Sequence, residues 1–227
     1  MADAPDWPKV LSLTVHEFRT PLTVVAGYLR MLSTDRVGEL TEAQKRVVQE
    51  AEKSCARLSS LLTDVSEVAH FHQGRQSFLR TPVLLSGVLD GVALSDAPER
   101  QLQIVREGAV DNAAVHGDAT RLRQALSSVA TAVGREIIEG PSLFLITAIR
   151  TAAGGREAFL ALGGQAVARD MIAAPQASLP PFDATRGGSG LSLVVARQVL
   201  EEHGAQLFGA PGDHPRAGAG ITLPLAN

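Results

Sequence analysis

Two apolar stripes constrain the first third of this chain more tightly than any other feature. Leu11, Val15, Phe18, Leu22, Val25, Leu29 and Leu32 recur at alternating spacings of four and three, which is a heptad seam along one helix. The stretch "STDRVGELT" follows, with Gly38 as a helix end and Thr41 as an N-cap, and a second seam then runs through Val48, Ala51, Cys55, Leu58, Leu62, Val65 and Ala69. An antiparallel helical hairpin is the expectation for residues 1–74. Charged faces such as "QKRVVQEAEKS" read as solvated helix surface. Seams this narrow bury too little area for two helices to stand alone, so the hairpin should pair with a copy of itself as a four-helix bundle in a homodimer. Packing against the rest of the chain is the alternative.

Beyond "HFHQGRQ" the periodicity changes, and residues 75–227 read as a second domain. "VLLSGVLDGVAL" reads as a helix, "QLQIVRE" as a strand and "DATRLRQALSSVATAVGREII" as a long helix. "SLFLITAIRTAAGGREAFLALGG" reads as two strands joined by a glycine turn, "GLSLVVARQVLEEHG" as a helix with a glycine stop, and "AQLFGAP…AGITLPL" as two closing strands. The fold class is therefore α+β: a helical hairpin forming a dimeric four-helix bundle, followed by an α/β sandwich. A mixed sheet with helices on one face is the expected form of the second part.

Composition narrows the function classes. Apolar residues make up 45% of the 227 and aromatics only 4%, so the core must be built from Leu, Val, Ile and Ala. A net charge of −3, from 21 basic and 24 acidic residues, gives no electrostatic footprint for nucleic acid. The single cysteine, Cys55, cannot form an internal disulfide, and no Cys/His spacing resembles a metal site. A reducing cytoplasm fits. Apolar runs fall short of the roughly 20 residues that cross a bilayer, and "MADAPDWPKV" has no secretory pattern, so no membrane association is expected.

Within the first seam lies "VHEFRTPLTVVAGYLRML". His16 follows the seam residue Val15, so it lies on the flank of the core stripe, where its side chain reaches solvent. Glu17 sits about 100° further round the helix, and Thr20 is one turn on, on the histidine's face. Pro21 removes the backbone hydrogen bond to residue 17 and loosens the helix there. A lone histidine on a helix is usually structural; one beside Glu, Thr and a bending Pro is far rarer by chance.

"HEFRTPL" resembles the phosphoacceptor box of two-component sensor histidine kinases. The resemblance implies that His16 accepts a phosphoryl group on an imidazole nitrogen and exchanges it with an aspartate of a response-regulator receiver domain. Neutral imidazole is a nucleophile near neutral pH, which suits the step. By the same resemblance Glu17 orients the imidazole and takes its proton, and Thr20 positions a water that dephosphorylates the receiver; Arg19 and Pro21 match the pattern without so definite a role. The order of elements in the second part resembles the ATP-binding domain of these kinases, the Bergerat or GHKL fold. Its best local match is "RGGSGLSLVVARQVLEEHGAQL", similar to the family's second glycine box and the helix after it. There Gly187, Gly188 and Gly190 would let backbone amides approach a phosphate at a helix N-terminus. Gly163, in "LALGGQA", matches a glycine of the other nucleotide motif.

The departures from the family matter as much. On "GDATRLRQALSSVATAV" the family carries two asparagines, the second a ligand of magnesium and phosphate; here the positions fall at Ser128 and Ala132. Where the family has the aspartate that holds the adenine amino group, this chain has Ala161. One lost hydrogen bond to a buried adenine costs roughly 1–3 kcal/mol, and a lost metal ligand displaces the phosphates too. ATP and Mg²⁺ are thus implied by the resemblance but opposed by Ala132 and Ala161. Asp111, Asn112, Asp118 and Asp170 would compensate only if they reached the pocket; solvated loops and a helix cap are the plainer reading of them.

The leading expectation is a phosphorelay protein whose hairpin remains chemical while its ATP domain is degenerate. It would exchange phosphate with a receiver and draw on an upstream kinase or sensor protein, with receiver phosphatase activity as a second output. An active ATP-dependent autokinase and a non-enzymatic dimeric interaction protein are the alternatives. Only about fifteen residues precede His16, so any input should come through a partner or through a longer chain.

Overall fold

The computed structural model describes residues 6–34, 36–94, 102–108, 110–137, 140–152, 154–185 and 190–226. The chain divides into two compact units, Met1–Gln76 and Ser77–Asn227.

In the first unit, α1 (Trp7–Ser33) starts on Asp6, whose side chain accepts from the Lys9 amide, with Pro8 in the opening turn. It stops at Ser33 and not at Gly38: the Thr34 amide and hydroxyl both bond back to the Arg30 carbonyl, at 3.1 and 2.7 Å, and close the last turn early. Gly38, with φ +115°, serves the loop instead. Thr41, the N-cap expected from sequence, opens α2 (Glu42–His72), and the structure adds a reciprocal capping box with Gln44. The loop end is fastened by Ser33 Oγ donating to Glu52 Oε1 at 2.9 Å.

The apolar seams divide in a way the heptad pattern does not reveal. Val15, Val48, Cys55 and Ala69 are buried and Leu22, Leu29 and Leu32 partly so, while Phe18 stays 59% exposed, Val25 49% and Leu58 52%. Two helices can close only one side of each stripe; the positions flanking that side are left facing outward.

One acid on α2 is out of its ordinary range. Burial, reinforced by Glu67 one turn on, lifts the Asp64 carboxyl from an ordinary value near 3.8 to about 6. The folded chain therefore holds a proton that the unfolded chain releases between those values. This stability is full below pH 3.8 and is lost as pH rises through 6. Asp64→Asn should raise the melting temperature at pH 8, by the equivalent of about 1 kcal/mol once solvent screening of a half-exposed group is allowed for, and change little at pH 4. Equal shifts at both pH values would show that the carboxylate carries no such cost.

The second unit begins with β1 (Thr81–Leu84) and α3 (Leu85–Asp90), then β2 (Gln103–Glu107) and β3 (Ala114–Gly117). Next come α4 (Ala119–Glu136), β4 (Ser142–Ala152), β5 (Gly155–Gly163) and α5 (Gln165–Ala173), and finally α6 (Ser192–Glu202), β6 (Gln206–Gly209) and β7 (Gly218–Pro224). The five-stranded sheet runs β2-β4-β5-β7-β6, with β2 parallel to β4 and the other pairs antiparallel; β1 and β3 form a separate antiparallel pair. The mixed sheet, the glycine turn at Gly155 and the glycine stop at Gly204, both at positive φ, agree with the sequence reading. Its first helix is shorter than expected, because "VLLSGVLDGVAL" divides between strand β1 and the six-residue α3.

The expectation of helices on one face is corrected by α5. Strand alternation puts Ile146, Phe159 and Ala161 on one side of the sheet, where they pack with Ala168 and Met171 of α5. The buried residues of α4 and α6 lie outside that cluster, and these helices cover the other side, where Leu145, Leu160, Leu162 and Ile221 are fully buried. Glycine lets α5 approach so closely: a Cβ on Gly218 would meet Val167 and Met171 at 2.9 and 3.0 Å, and one on Gly220 would meet Phe159 at 2.8 Å. Arg150 closes the far end of α5, donating to the carbonyls of Met171 and Ile172 while its guanidinium lies 3.8 Å from the Phe159 ring centre.

Candidate functional site

The phosphoacceptor-like box lies on the open side of α1. His16 and Glu17 side chains are 78% and 74% exposed, with Nδ1 of the imidazole 3.8 Å from Glu17 Oε1. Val15, on the adjoining face, is buried and fixes the helix so that His16 points outward. Separate nitrogens are therefore available: Nδ1 to face the carboxylate and Nε2 to face solvent.

The helix around the box is not uniform. Pro21 sits inside α1. The threonines on either side of the box bend their hydroxyls back onto the helix, Thr14 to the Val10 carbonyl and Thr23 to the Arg19 carbonyl, each at 2.8 Å. Thr20 is exposed and its hydroxyl has no such bond among the described residues. The structure thus brings His16, Glu17 and Thr20 onto one exposed stretch of about one turn.

The nucleotide-site residues suggested by sequence fare differently. Gly187 and Gly188 lie outside the described residues. Gly190, φ +56°, stands just before α6, where only glycine takes that backbone easily. Gly163 is the last residue of β5 and has a packing reason to be glycine, since a Cβ there would meet Val167 and the Ala217 carbonyl at 3.2 Å.

Ala132 is buried on α4 and Ala161 is fully buried against α5. The neighbour of Ala161 on the opposite face of the strand is Leu162, also fully buried. On either face, the end of β5 presents a methyl or isobutyl group where an adenine contact would need a carboxylate. These residues do not fit the metal and adenine contacts that the resemblance implies.

None of the four candidate substitutes changes this. Asp118 is the N-cap of α4, accepting from the Thr120 and Arg121 amides at 3.0 and 3.1 Å. Asp170 is exposed on α5. Asp111 and Asn112 line a cavity of about 320 Å³ with Ile149, Arg156, Leu225 and Ala226, which neither Ala132 nor Ala161 lines. Sequence reading passed over His203. Its ring is buried, Nδ1 lies 2.7 Å from the Val199 carbonyl, Nε2 accepts from the Asp118 amide at 3.0 Å, and Phe78 stands edge-on to it. The available signal was its place directly before the glycine stop of α6.

Comparison with known proteins agrees with this geometry. Residues 9–74 match the family model described as His Kinase A (phospho-acceptor) domain. The chain is 29% identical to the phosphate regulon sensor protein PhoR of Pseudomonas aeruginosa over 85% of its own length and 44% of that protein. It is 26% identical to the sensor protein GacS of Pseudomonas syringae over 93% of its own length and 24% of that protein. Among solved structures, full-length ShkA in complex with AMPPNP superposes with a TM-score of 0.67 at 25% identity, covering 97% of this chain and 46% of that one. The histidine kinase AdeS of Acinetobacter baumannii shares the fold, with a TM-score of 0.55 at 17% identity over 93% of this chain and 98% of that one. A phosphoacceptor hairpin followed by this α/β unit is the arrangement of two-component sensor histidine kinase cores, which the chain resembles over nearly its whole length. It spans about half or less of the length of these and other curated relatives that it matches. No helix among the described residues is long and apolar enough to cross a membrane.

Proposed function

We propose that the chain acts in two-component signal transduction as a cytoplasmic phosphotransfer protein: His16 exchanges a phosphoryl group with the aspartate of a response-regulator receiver, and the α/β unit no longer supplies that phosphate from ATP. The observation that carries this reading is the contrast between an open, complete box of His16, Glu17 and Thr20 and buried Ala132, Ala161 and Leu162. Glu17, 3.8 Å from the imidazole, holds the ring and takes its proton as the nitrogen attacks phosphorus. Thr20 directs a water at the receiver's acyl phosphate when the flow is hydrolytic. The receiver brings its own aspartate and Mg²⁺, so neither is required of this chain. Residues 1–74 serve as the dimerisation and phosphoacceptor domain and residues 75–227 as a degenerate ATP-binding domain. The outward-facing Phe18, Val25 and Leu58 support a homodimer, since a second hairpin would cover them. An upstream kinase or sensor protein would provide phosphate and signal.

A second reading, an active autokinase, is favoured by the superposition on a protein solved with AMPPNP and by Gly190 at positive φ just before α6. Calorimetry with Mg-ATP, combined with an assay for acid-labile phosphate, separates the two. The expected result is no binding at millimolar nucleotide, with His16 still labelled by a phosphorylated receiver. Binding accompanied by labelling from ATP alone would restore the autokinase.

A further inference from the structure

We propose that the main-chain carbonyl of Glu17, deprived of its helical donor by Pro21, joins the Thr20 hydroxyl in holding the water that hydrolyses a receiver's aspartyl phosphate. This rests on the function proposed above and adds a second positioning group to the same site.

In a regular helix the carbonyl of residue 17 accepts from the amide of residue 21; proline at 21 has no amide hydrogen. Helix carbonyls point toward the C-terminal end, so the Glu17 oxygen lies on the turn that carries Thr20 and Pro21. His16, Glu17, Thr20 and Pro21 are all exposed, which leaves that turn open to solvent and to a docked receiver. Thr14 and Thr23 commit their hydroxyls to carbonyls one turn back, whereas Thr20 does not. Two acceptors, one backbone and one side chain, thus stand three residues apart on one face.

A water has two protons and must present a lone pair to phosphorus. Donation to a single acceptor leaves it free to rotate about that bond; donation to both the Glu17 carbonyl and Thr20 Oγ fixes the direction in which its lone pairs point. In the step itself the water oxygen bonds to phosphorus while the bond from phosphorus to the aspartyl oxygen breaks. The aspartate leaves as carboxylate, and both water protons leave with the phosphate as dihydrogen phosphate. Phosphoryl exchange between receiver and His16 uses no water and is not affected.

The test compares the full chain carrying Pro21→Ala, Thr20→Ala, or lactic acid in place of Pro21, the last giving an ester that lacks both the ring and the amide hydrogen. Receiver domains phosphorylated with acetyl phosphate are the probes, and two rates are read: release of inorganic phosphate and transfer to His16. Pro21→Ala restores a donor to the Glu17 carbonyl and should slow phosphate release about tenfold with transfer unchanged. The ester should keep the wild-type release rate. If Pro21→Ala releases phosphate at the wild-type rate while Thr20→Ala is slow, the carbonyl has no role and the proposal fails alone. Equal slowing by the alanine and ester variants would overturn it too, because the ring and not the amide hydrogen would then matter. Full-rate release by Thr20→Ala, or no receiver served by the wild-type chain, would overturn both this proposal and the phosphatase reading beneath it.

Discussion

His16→Gln should abolish phosphate exchange with every receiver that the wild-type chain serves, at no measurable cost to folding. The two halves of this expectation come from the same geometry. The imidazole is 78% exposed and its ion-pair partner Glu17, at 3.8 Å, is exposed too, and surface substitutions of this kind change stability by about 0.5 kcal/mol or less. The amide of glutamine, however, is not a nucleophile. Acid-labile, base-stable phosphate on the chain and the thermal melting curve are the two readouts. Loss of exchange with an unchanged melting temperature is expected; undiminished exchange would reduce the box to a structural feature of a kinked helix.

The largest stability effect is expected from Phe159→Ala. Phe159 is fully buried and carries three kinds of contact at once: the cluster with Ala161, Ala168 and Met171, a ring 6.4 Å away in Phe208, and the Arg150 guanidinium over its face. Removing a buried phenyl group costs about 3–5 kcal/mol. Here the cavity would open beneath α5, and Arg150 would lose one of the surfaces that hold it at the end of that helix. Guanidinium unfolding of the second unit should show the loss directly. A change under about 1 kcal/mol would mean that α5 is not held by this cluster.

The hairpin was legible in the sequence because a heptad stripe and an N-cap are local signals: Thr41 marks the start of α2, and Val15 fixes where His16 points. The position of α5 was not legible. Only Ala168 and Met171 of it are buried, "QAVARDMIAA" has no long apolar stripe, and what determines its face is the alternation of β5 together with glycines on β7 that lie far along the chain. Strand β3 was missed for a similar reason, since four residues of "AVHG" are stabilised by pairing with β1 and not by their own pattern. In the candidate site, the exposure of His16 could be read from spacing, and its reading as a phosphoacceptor from the resemblance of "HEFRTPL". The use of Gly163 as a packing residue, and the presence of Leu162 on the other side of Ala161, required the sheet register.

His203 extends this distinction between what a domain holds and what holds a domain. Its ring joins the last turn of α6 to the N-cap of α4, accepting from the Asp118 amide while facing the Val199 carbonyl and Phe78. The segment after the glycines and the helix bearing Ser128 and Ala132 are thereby clamped by a side chain that touches no nucleotide position. In a frame fastened that way, ligand-holding residues are free to drift while the scaffold persists. A chain can then keep the outline of a kinase long after its own integrity has ceased to depend on what a kinase binds.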